Sequence, residues 1–143
     1  MVDQLNKADL QEAIELFYFA YRAFTSSSDK ILSDKGLGRA HHRILYFVGR
    51  YAGININELL GVLEVSKQAL NAPLRKLIEM DLIVSETAEH DRRVKQLTLS
   101  KKGQNLEAAL TQVQMKQLES VFADVEGRAV KGWREIMQKI PLV

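Results

Sequence analysis

Hydrophobic residues recur at steps of three and four over residues 8–25, and this spacing predicts an amphipathic helix. The segment Phe17–Tyr21 is apolar on nearly all sides, so we expect more than one surface to cover this helix. Ser26–Ser28 and then Gly36–Gly38 interrupt the pattern and predict a connection. A second helix is predicted over residues 39–51, with its apolar side turned inward.

Two short helices joined by a tight turn are predicted next. Asn55 and Glu58 have the spacing of a capping box, in which each side chain accepts a hydrogen bond from the other residue's backbone N–H. After an apolar stretch, Ser66 is placed to cap a further helix. The turn between them takes only about three residues, 64–66, which is the helix–turn–helix arrangement.

The second of these helices has two different sides. At 100° per residue its apolar side comprises Leu70, Leu74, Leu77 and Ile78. The opposite side comprises Gln68, Asn71, Ala72 and Arg75, with Lys67 at the N-terminal end. These polar groups suit base edges and phosphates, although a solvated helix face is the alternative interpretation.

A β-hairpin is predicted after this helix. Residues 82–87 and 94–99 are rich in β-branched and aliphatic residues, and the polar connection between them ends in Arg92 and Arg93. A helix pair followed by a hairpin with a basic tip is typical of a winged helix, whose arginines can enter a narrow minor groove. The predicted fold is therefore mainly α, with a small β-hairpin wing.

Two helices are predicted to complete the chain. Ser100 is a candidate cap for a long helix that runs to about residue 126. Gly127 and Gly132 are predicted to flank a break, and Pro141 is predicted to end the last amphipathic helix.

Composition and charge narrow the function classes. The 143 residues suit a single domain, and the absence of cysteine excludes disulfides, thiolate metal sites and thiol redox chemistry. Residues 36–103 carry 11 basic and 7 acidic side chains, a net charge of +4, whereas residues 1–35 carry −2 and residues 104–143 carry 0. The basic excess lies where the helix–turn–helix is predicted, so a polyanion would bind there.

Several classes of function lack their signatures. The chain has no phosphate-binding glycine loop, nucleophile elbow or metal-ligand spacing, so we expect neither an enzyme nor a cofactor. No apolar run approaches the length of a membrane span. Polar and acidic residues at Met1–Gln4 do not match a secretory signal, so a cytoplasmic protein without membrane contact is expected. The alternative to DNA binding is a protein–protein interaction module on a winged-helix scaffold, which would more often expose an apolar face.

The order of elements resembles the MarR (multiple antibiotic resistance regulator) family of transcription factors over nearly the whole chain. The sharpest local matches are Leu77–Ile83, Asp91–Arg93 and Leu97–Gly103. The resemblance implies a homodimer in which residues 1–35 and 104–143 interlock, while residues 36–103 form the winged region.

The resemblance also implies a function and a set of contacts. Each protomer would present its recognition helix to one half of a palindromic operator, as a repressor that a small aromatic or anionic ligand releases from double-stranded DNA. Asp91 would brace the wing through a salt bridge, and Arg93, with Arg92 as the other candidate, would reach the minor groove. The predicted DNA-contacting residues are Ser66, Lys67, Gln68, Asn71, Arg75, Asp91, Arg92 and Arg93.

Three positions depart from the family pattern. Asp81 and Glu64 stand where glycine is usual, and we expect Asp81 to adopt the left-handed conformation at some cost. Pro73 lies inside the recognition helix and removes the hydrogen bond to Ala69. We therefore expect either a bent helix or one that begins later.

Two further groups of side chains have alternative interpretations. His41, His42 and His90 are the only histidines, and adjacent helical histidines point about 100° apart, so packing is favoured over a metal site. Five aromatic side chains are expected where the first two helices meet, either as core or as the wall of a ligand pocket. They are Phe17, Tyr18, Tyr21, Tyr46 and Tyr51.

Overall fold

A computed structural model describes residues 4–143 of the chain. Met1–Asp3, three of the four residues that do not match a secretory signal, lie outside the described residues. The helices are α1 (Lys7–Asp34), α2 (Arg39–Arg50), α3 (Ile56–Leu63), α4 (Lys67–Glu79), α5 (Lys101–Ala123) and α6 (Gly127–Lys139), followed by a 3-10 turn (Ile140–Leu142). The strands are β1 (Ile54–Asn55), β2 (Ile83–Thr87) and β3 (Lys95–Leu99).

One hydrophobic core joins the helix–turn–helix to the sheet and to α5. The predicted apolar side of α4 is the side that is buried, since Leu70, Leu74 and Leu77 are nearly inaccessible. Removing each such side chain from water contributes about 1.5–3 kcal/mol. The other buried hydrophobic residues of this core are Leu32, Leu37, Ile44, Leu45, Val48, Ile54, Leu59, Leu82, Ile83, Leu97, Leu106 and Leu110.

The sheet has three antiparallel strands in the order β1-β3-β2. The predicted hairpin is confirmed, with Ile83 opposite Leu99 and Thr87 opposite Lys95. The sequence pattern did not indicate β1, which pairs Ile54 with Leu97 and connects the hairpin to the start of α3. This third strand attaches the base of the hairpin to the helical core.

The break predicted at Ser26–Ser28 is wrong, because α1 runs without interruption to Asp34. Serine can hydrogen-bond to a helix carbonyl three or four residues earlier, and Ser26 and Ser27 do so within α1. The Ser28 hydroxyl instead donates to the Leu110 carbonyl of α5 over 2.9 Å. The connection to α2 begins only at the second predicted break, where Gly36 has a φ of +71°.

The end of the chain also differs from the prediction in one respect. Gly127 is the first residue of α6, as expected for a residue that borders the break. Gly132 lies inside α6 rather than beside the break, because the interruption is confined to residues 124–126. α6 ends at Lys139, two residues before Pro141, which lies in the 3-10 turn.

The helices and the turn expected around the three positions that depart from the family pattern are all present. Glu64 and Asp81 have φ values of 52° and 59°, so both occupy the left-handed region in place of glycine. α4 starts at Lys67 and continues through Pro73 to Glu79, so the alternative in which the helix begins later is wrong.

Candidate nucleic-acid interface

The helix α4 presents a polar face, and both helices of the helix–turn–helix are capped at their N-termini. Ser66 caps α4 by accepting a hydrogen bond from the Ala69 backbone N–H at 3.0 Å. Before the turn, the capping box of α3 is formed as predicted, with Asn55 and Glu58 each accepting from the other's backbone N–H. All five predicted residues of this region are exposed, namely Ser66, Lys67, Gln68, Asn71 and Arg75.

At the tip of the wing, the Asp91 carboxylate orients the guanidinium of Arg93. The Arg93 guanidinium donates to both carboxylate oxygens of Asp91 at 3.1 Å each, and the Arg93 backbone N–H donates to the same carboxylate at 2.9 Å. These hydrogen bonds from Arg93 hold the pKa of Asp91 below its usual value. The salt bridge predicted for Asp91 is therefore present, while the Arg93 side chain remains 90% exposed.

Arg92 is arranged differently from its neighbour. Its side chain is exposed and makes no hydrogen bond or ion pair to any residue in the range 4–143. Below the tip, the Ala88 backbone N–H donates to the Val94 carbonyl over 2.9 Å, which closes the loop at the end of the strands. The two arginines are thus adjacent in sequence, but only Arg93 has its guanidinium oriented by the protein.

The start of α5 fixes the recognition helix and the wing together. The Ser100 hydroxyl accepts from the Gly103 N–H at 3.0 Å and donates to the Asp81 carbonyl at 2.5 Å. The Lys102 ammonium donates to the carbonyl of Met80, the C-cap residue of α4, at 3.2 Å. Ser100 caps this helix as predicted, and Ser100 and Lys102 also bond the start of α5 to the backbone of residues 80 and 81.

A groove lies between α1, α2 and α5, with a volume of about 330 Å³. Of the five aromatic residues predicted near it, only Tyr21 and Tyr46 line it, whereas Phe17, Tyr18 and Tyr51 are about half exposed elsewhere. The residues that line the groove are Tyr21, Phe24, Thr25, Arg39, His42, Arg43, Tyr46, Phe47, Thr111, Gln114, Met115 and Leu118.

The charged groups of the groove are contributed mainly by α2. Arg39 forms a bidentate ion pair with Asp29 of α1, and hydrogen bonding to Arg39 lowers the pKa of Asp29. His42 is buried, and burial together with the charge of Arg43 lowers the pKa of His42, although Asp29 acts in the opposite direction. At neutral pH the groove therefore contains a neutral imidazole beside two guanidinium groups.

Two negative findings concern metals and membranes. Within residues 4–143 no group of three or more His, Cys, Asp or Glu side chains could hold a metal ion. The Nδ1 atom of His41 accepts a hydrogen bond from the backbone N–H of Gly38, the N-cap residue of α2. In the same part of the chain, no helix has the length and apolar character to cross a membrane.

A helix–turn–helix followed by a hairpin that packs on the same core defines a winged helix–turn–helix protein. The sequence profile of the MarR family matches residues 35–94. The HTH-type transcriptional regulator PetP of Rhodobacter capsulatus is 37% identical over 134 residues, which cover 94% of this chain and 81% of PetP. The chain belongs to the MarR family of transcriptional regulators.

Solved structures with this fold agree with the assignment. Streptococcus pneumoniae FabT in complex with DNA superposes with a TM-score of 0.83 at 18% identity, covering 93% of this chain and 98% of FabT. The MepR–DNA complex of Staphylococcus aureus has a TM-score of 0.74 at 16% identity, covering 87% of this chain and 91% of MepR. At these low sequence identities the similarity shows a shared fold and nothing more.

Proposed function

We propose that this regulator binds double-stranded DNA with α4 in the major groove and the wing against the adjacent minor groove. The observation that carries this proposal is the division of α4 into a buried apolar side and an exposed side bearing Gln68, Asn71 and Arg75. Amide side chains can read adenine, and an arginine can read guanine or hold a phosphate. FabT and MepR, which share this fold, were both solved with DNA.

The wing supplies the second contact in this proposal. Arg93 is exposed and oriented by Asp91, so its guanidinium is ready to enter a narrow, electronegative minor groove. Arg92 has no partner among the described side chains and is available for an adjacent phosphate. The residues proposed to bind DNA remain Ser66, Lys67, Gln68, Asn71, Arg75, Arg92 and Arg93, with Asp91 as the brace.

The acting species is proposed to be a homodimer. In the single chain, α1 exposes Leu10, Ile14 and Phe17, and α6 exposes Trp133 and Ile136. A monomer would rarely leave so much apolar surface in water. Pairing of the segments 1–35 and 104–143 with those of a second copy would cover it and present two recognition helices to a palindromic operator.

The groove between α1, α2 and α5 is the proposed site for an effector. Its tyrosine and phenylalanine side chains suit an aromatic ring, and Arg43 supplies a cation for an anionic substituent. We infer a repressor that leaves its operator when a small aromatic or anionic compound fills this groove. As a regulator of transcription rather than an enzyme, it would act in the cytoplasm, where its DNA target lies.

A selection on random duplex DNA at fixed salt concentration tests this function. The protein should enrich an inverted repeat whose half-sites lie about one helical turn apart, or a multiple of that distance. If no duplex is preferred over the random pool, the protein would instead be an interaction module on a winged-helix scaffold. In that case the exposed side of α4 should bind a protein.

A further inference from the structure

Two adjacent cations on α4 have different surroundings. Arg75 is exposed and makes no hydrogen bond or ion pair to a residue between 4 and 143. Lys76 turns away from it and donates its ammonium to the backbone carbonyl of Gly36, in the connection between α1 and α2. Sequence reasoning did not single out Lys76, because its partner lies 40 residues earlier in the chain.

The end of α1 is a favourable place for this ammonium group. The N–H groups of Gly36 and Leu37 already bond back to the carbonyls of Ser33 and Leu32, which closes the helix. The last turn of α1 contains no basic residue of its own. A helix C-terminus carries partial negative charge, so the Lys76 ammonium, bonded to the Gly36 carbonyl, adds a cation from α4 to that of the C-cap residue Lys35.

The start of α2 is affected by the same charge. His41 accepts the Gly38 N–H at 2.9 Å and so forms part of the cap of α2. Burial first, and then the nearby Lys76 charge, lower the pKa of His41. Lys76 therefore lies where the end of α1, the start of α2 and the last turn of α4 meet.

We propose that Lys76 is a positioning residue, which fixes the recognition helix against the end of α1 and so sets the operator spacing that the dimer accepts. This inference rests on the proposed function. α1 is the proposed dimerisation helix and α4 the DNA-reading helix, so the distance between the two copies of α4 depends on how α4 is attached to α1. Adding or removing one base pair changes the separation of the half-sites by about 3.4 Å. A rigid attachment of α4 to α1 would resist the matching change in the distance between the two copies of α4.

The test uses the best duplex that the wild-type protein selects from random DNA, together with versions that gain or lose one base pair at its centre. Fluorescence anisotropy at two salt concentrations gives the Kd for each duplex. We expect wild-type protein to lose at least about tenfold in affinity on both altered spacings, since about 1.4 kcal/mol corresponds to tenfold. Lys76→Met should lose less than about threefold on them while keeping the same base preference and the same salt dependence.

Two further variants serve as controls. Lys35→Met removes an equal charge one residue from Gly36, and the Lys35 side chain makes no hydrogen bond within the described range, so its spacing preference should stay that of the wild type. Lys76→Arg keeps a cationic donor and should restore the preference at least in part. Light scattering and circular dichroism on each variant confirm that the folded dimer persists.

The outcomes separate the alternatives. If Lys76→Met weakens binding equally at every spacing and reduces the salt slope by about one, Lys76 is a phosphate contact and the inference is wrong. An unchanged spacing preference also overturns it. If wild-type protein prefers no duplex, the proposed function itself fails. Should Lys76→Met not fold, Lys76→Gln at this exposed position provides the same comparison.

Discussion

Gly103, in the first turn of α5, lies directly against the backbone of Leu82, where α4 gives way to the wing. A Cβ atom on Gly103 would stand 1.9 Å from the Leu82 carbonyl oxygen, a distance that real side chains do not adopt. That same carbonyl accepts a hydrogen bond from the Ser100 N–H at 3.1 Å, while the Ser100 hydroxyl donates to the adjacent Asp81 carbonyl at 2.5 Å. The three contacts hold the wing and α5 together, and only glycine allows the approach.

Gly103→Ala should therefore destabilise the protein. Overpacking of this kind costs about 1–3 kcal/mol, and here the obstacle is backbone that cannot rotate away. The control is Gly61→Ala in α3, where an added Cβ meets nothing within 4 Å and should stabilise the helix by about 0.5–1 kcal/mol. Urea denaturation at one protein concentration measures both effects. Equal stability of Gly103→Ala and wild type would contradict the close contact.

The recognition helix can be tested without loss of folding. Gln68→Ala and Asn71→Ala remove exposed side chains, so stability should change by no more than about 0.5 kcal/mol. At a base-reading position the same change should cost about 1–3 kcal/mol of binding and relax the preference at particular base pairs. A binding selection on each variant provides the measurement, with Glu79→Ala at the far end of α4 as control. If neither variant alters the preference, α4 does not read bases.

DNA binding by the wing should depend more on Arg93 than on Asp91, which orients it. Arg93→Ala should weaken binding to the selected duplex by about 1–3 kcal/mol if the guanidinium sits in a narrow minor groove. Asp91→Asn leaves the charge of Arg93 but loosens its orientation, so we expect a smaller loss. Anisotropy at fixed salt compares these variants with Arg92→Ala. Full affinity in both arginine variants would mean that the hairpin does not contact DNA.

The exposed apolar side of α1 predicts the state of assembly. Light scattering at micromolar concentration should give twice the 16.2 kDa chain mass. Ile14→Asp places a charge on a side chain that is 69% exposed in the single chain and should dissociate the dimer. Val62→Asp, on α3, is the matched control and should leave the mass unchanged. A wild-type monomer would defeat the proposed pairing.

His42 predicts how stability depends on pH. Burial and Arg43 lower its folded pKa below the ordinary value of 6.5, so the unfolded chain binds the proton more tightly. The contribution of neutral His42 is complete above pH 6.5 and is lost as the pH falls from there through the lowered folded pKa. His41 shifts in the same direction, so His42→Gln should reduce the pH dependence rather than abolish it. Urea midpoints at pH 7.5 and at successively lower pH would show this, and an unchanged dependence in the variant would contradict it.

Local patterns in the sequence sufficed for much of this fold. The two sides of α4, the capping box at Asn55 and the hairpin each depend on residues close together in the chain, and each was predicted. The left-handed backbone at Asp81 was also predicted, from the glycine that the family usually has there and from the tolerance of Asp for this conformation.

What the sequence could not reveal depends on distant partners. Three consecutive serines resemble a connection until Ser28 is seen to bond to Leu110, 82 residues away. The strand β1 has only two residues, too few for an alternating pattern, and exists because β3 pairs with it. Nothing in the sequence around Lys76 distinguishes it from its neighbour Arg75, and only the folded chain brings it to Gly36.

Because α1 is unbroken, a tilt of this helix at one end displaces its other end. Its 28 residues span about 42 Å at 1.5 Å per residue, with apolar side chains at one end and the Gly36 corner at the other. Over that length, a tilt of about 3° moves the far end by about 2 Å. A break at Ser26–Ser28 would absorb such a movement, whereas a continuous helix would carry it to Gly36 and, through the proposed Lys76 attachment, to α4.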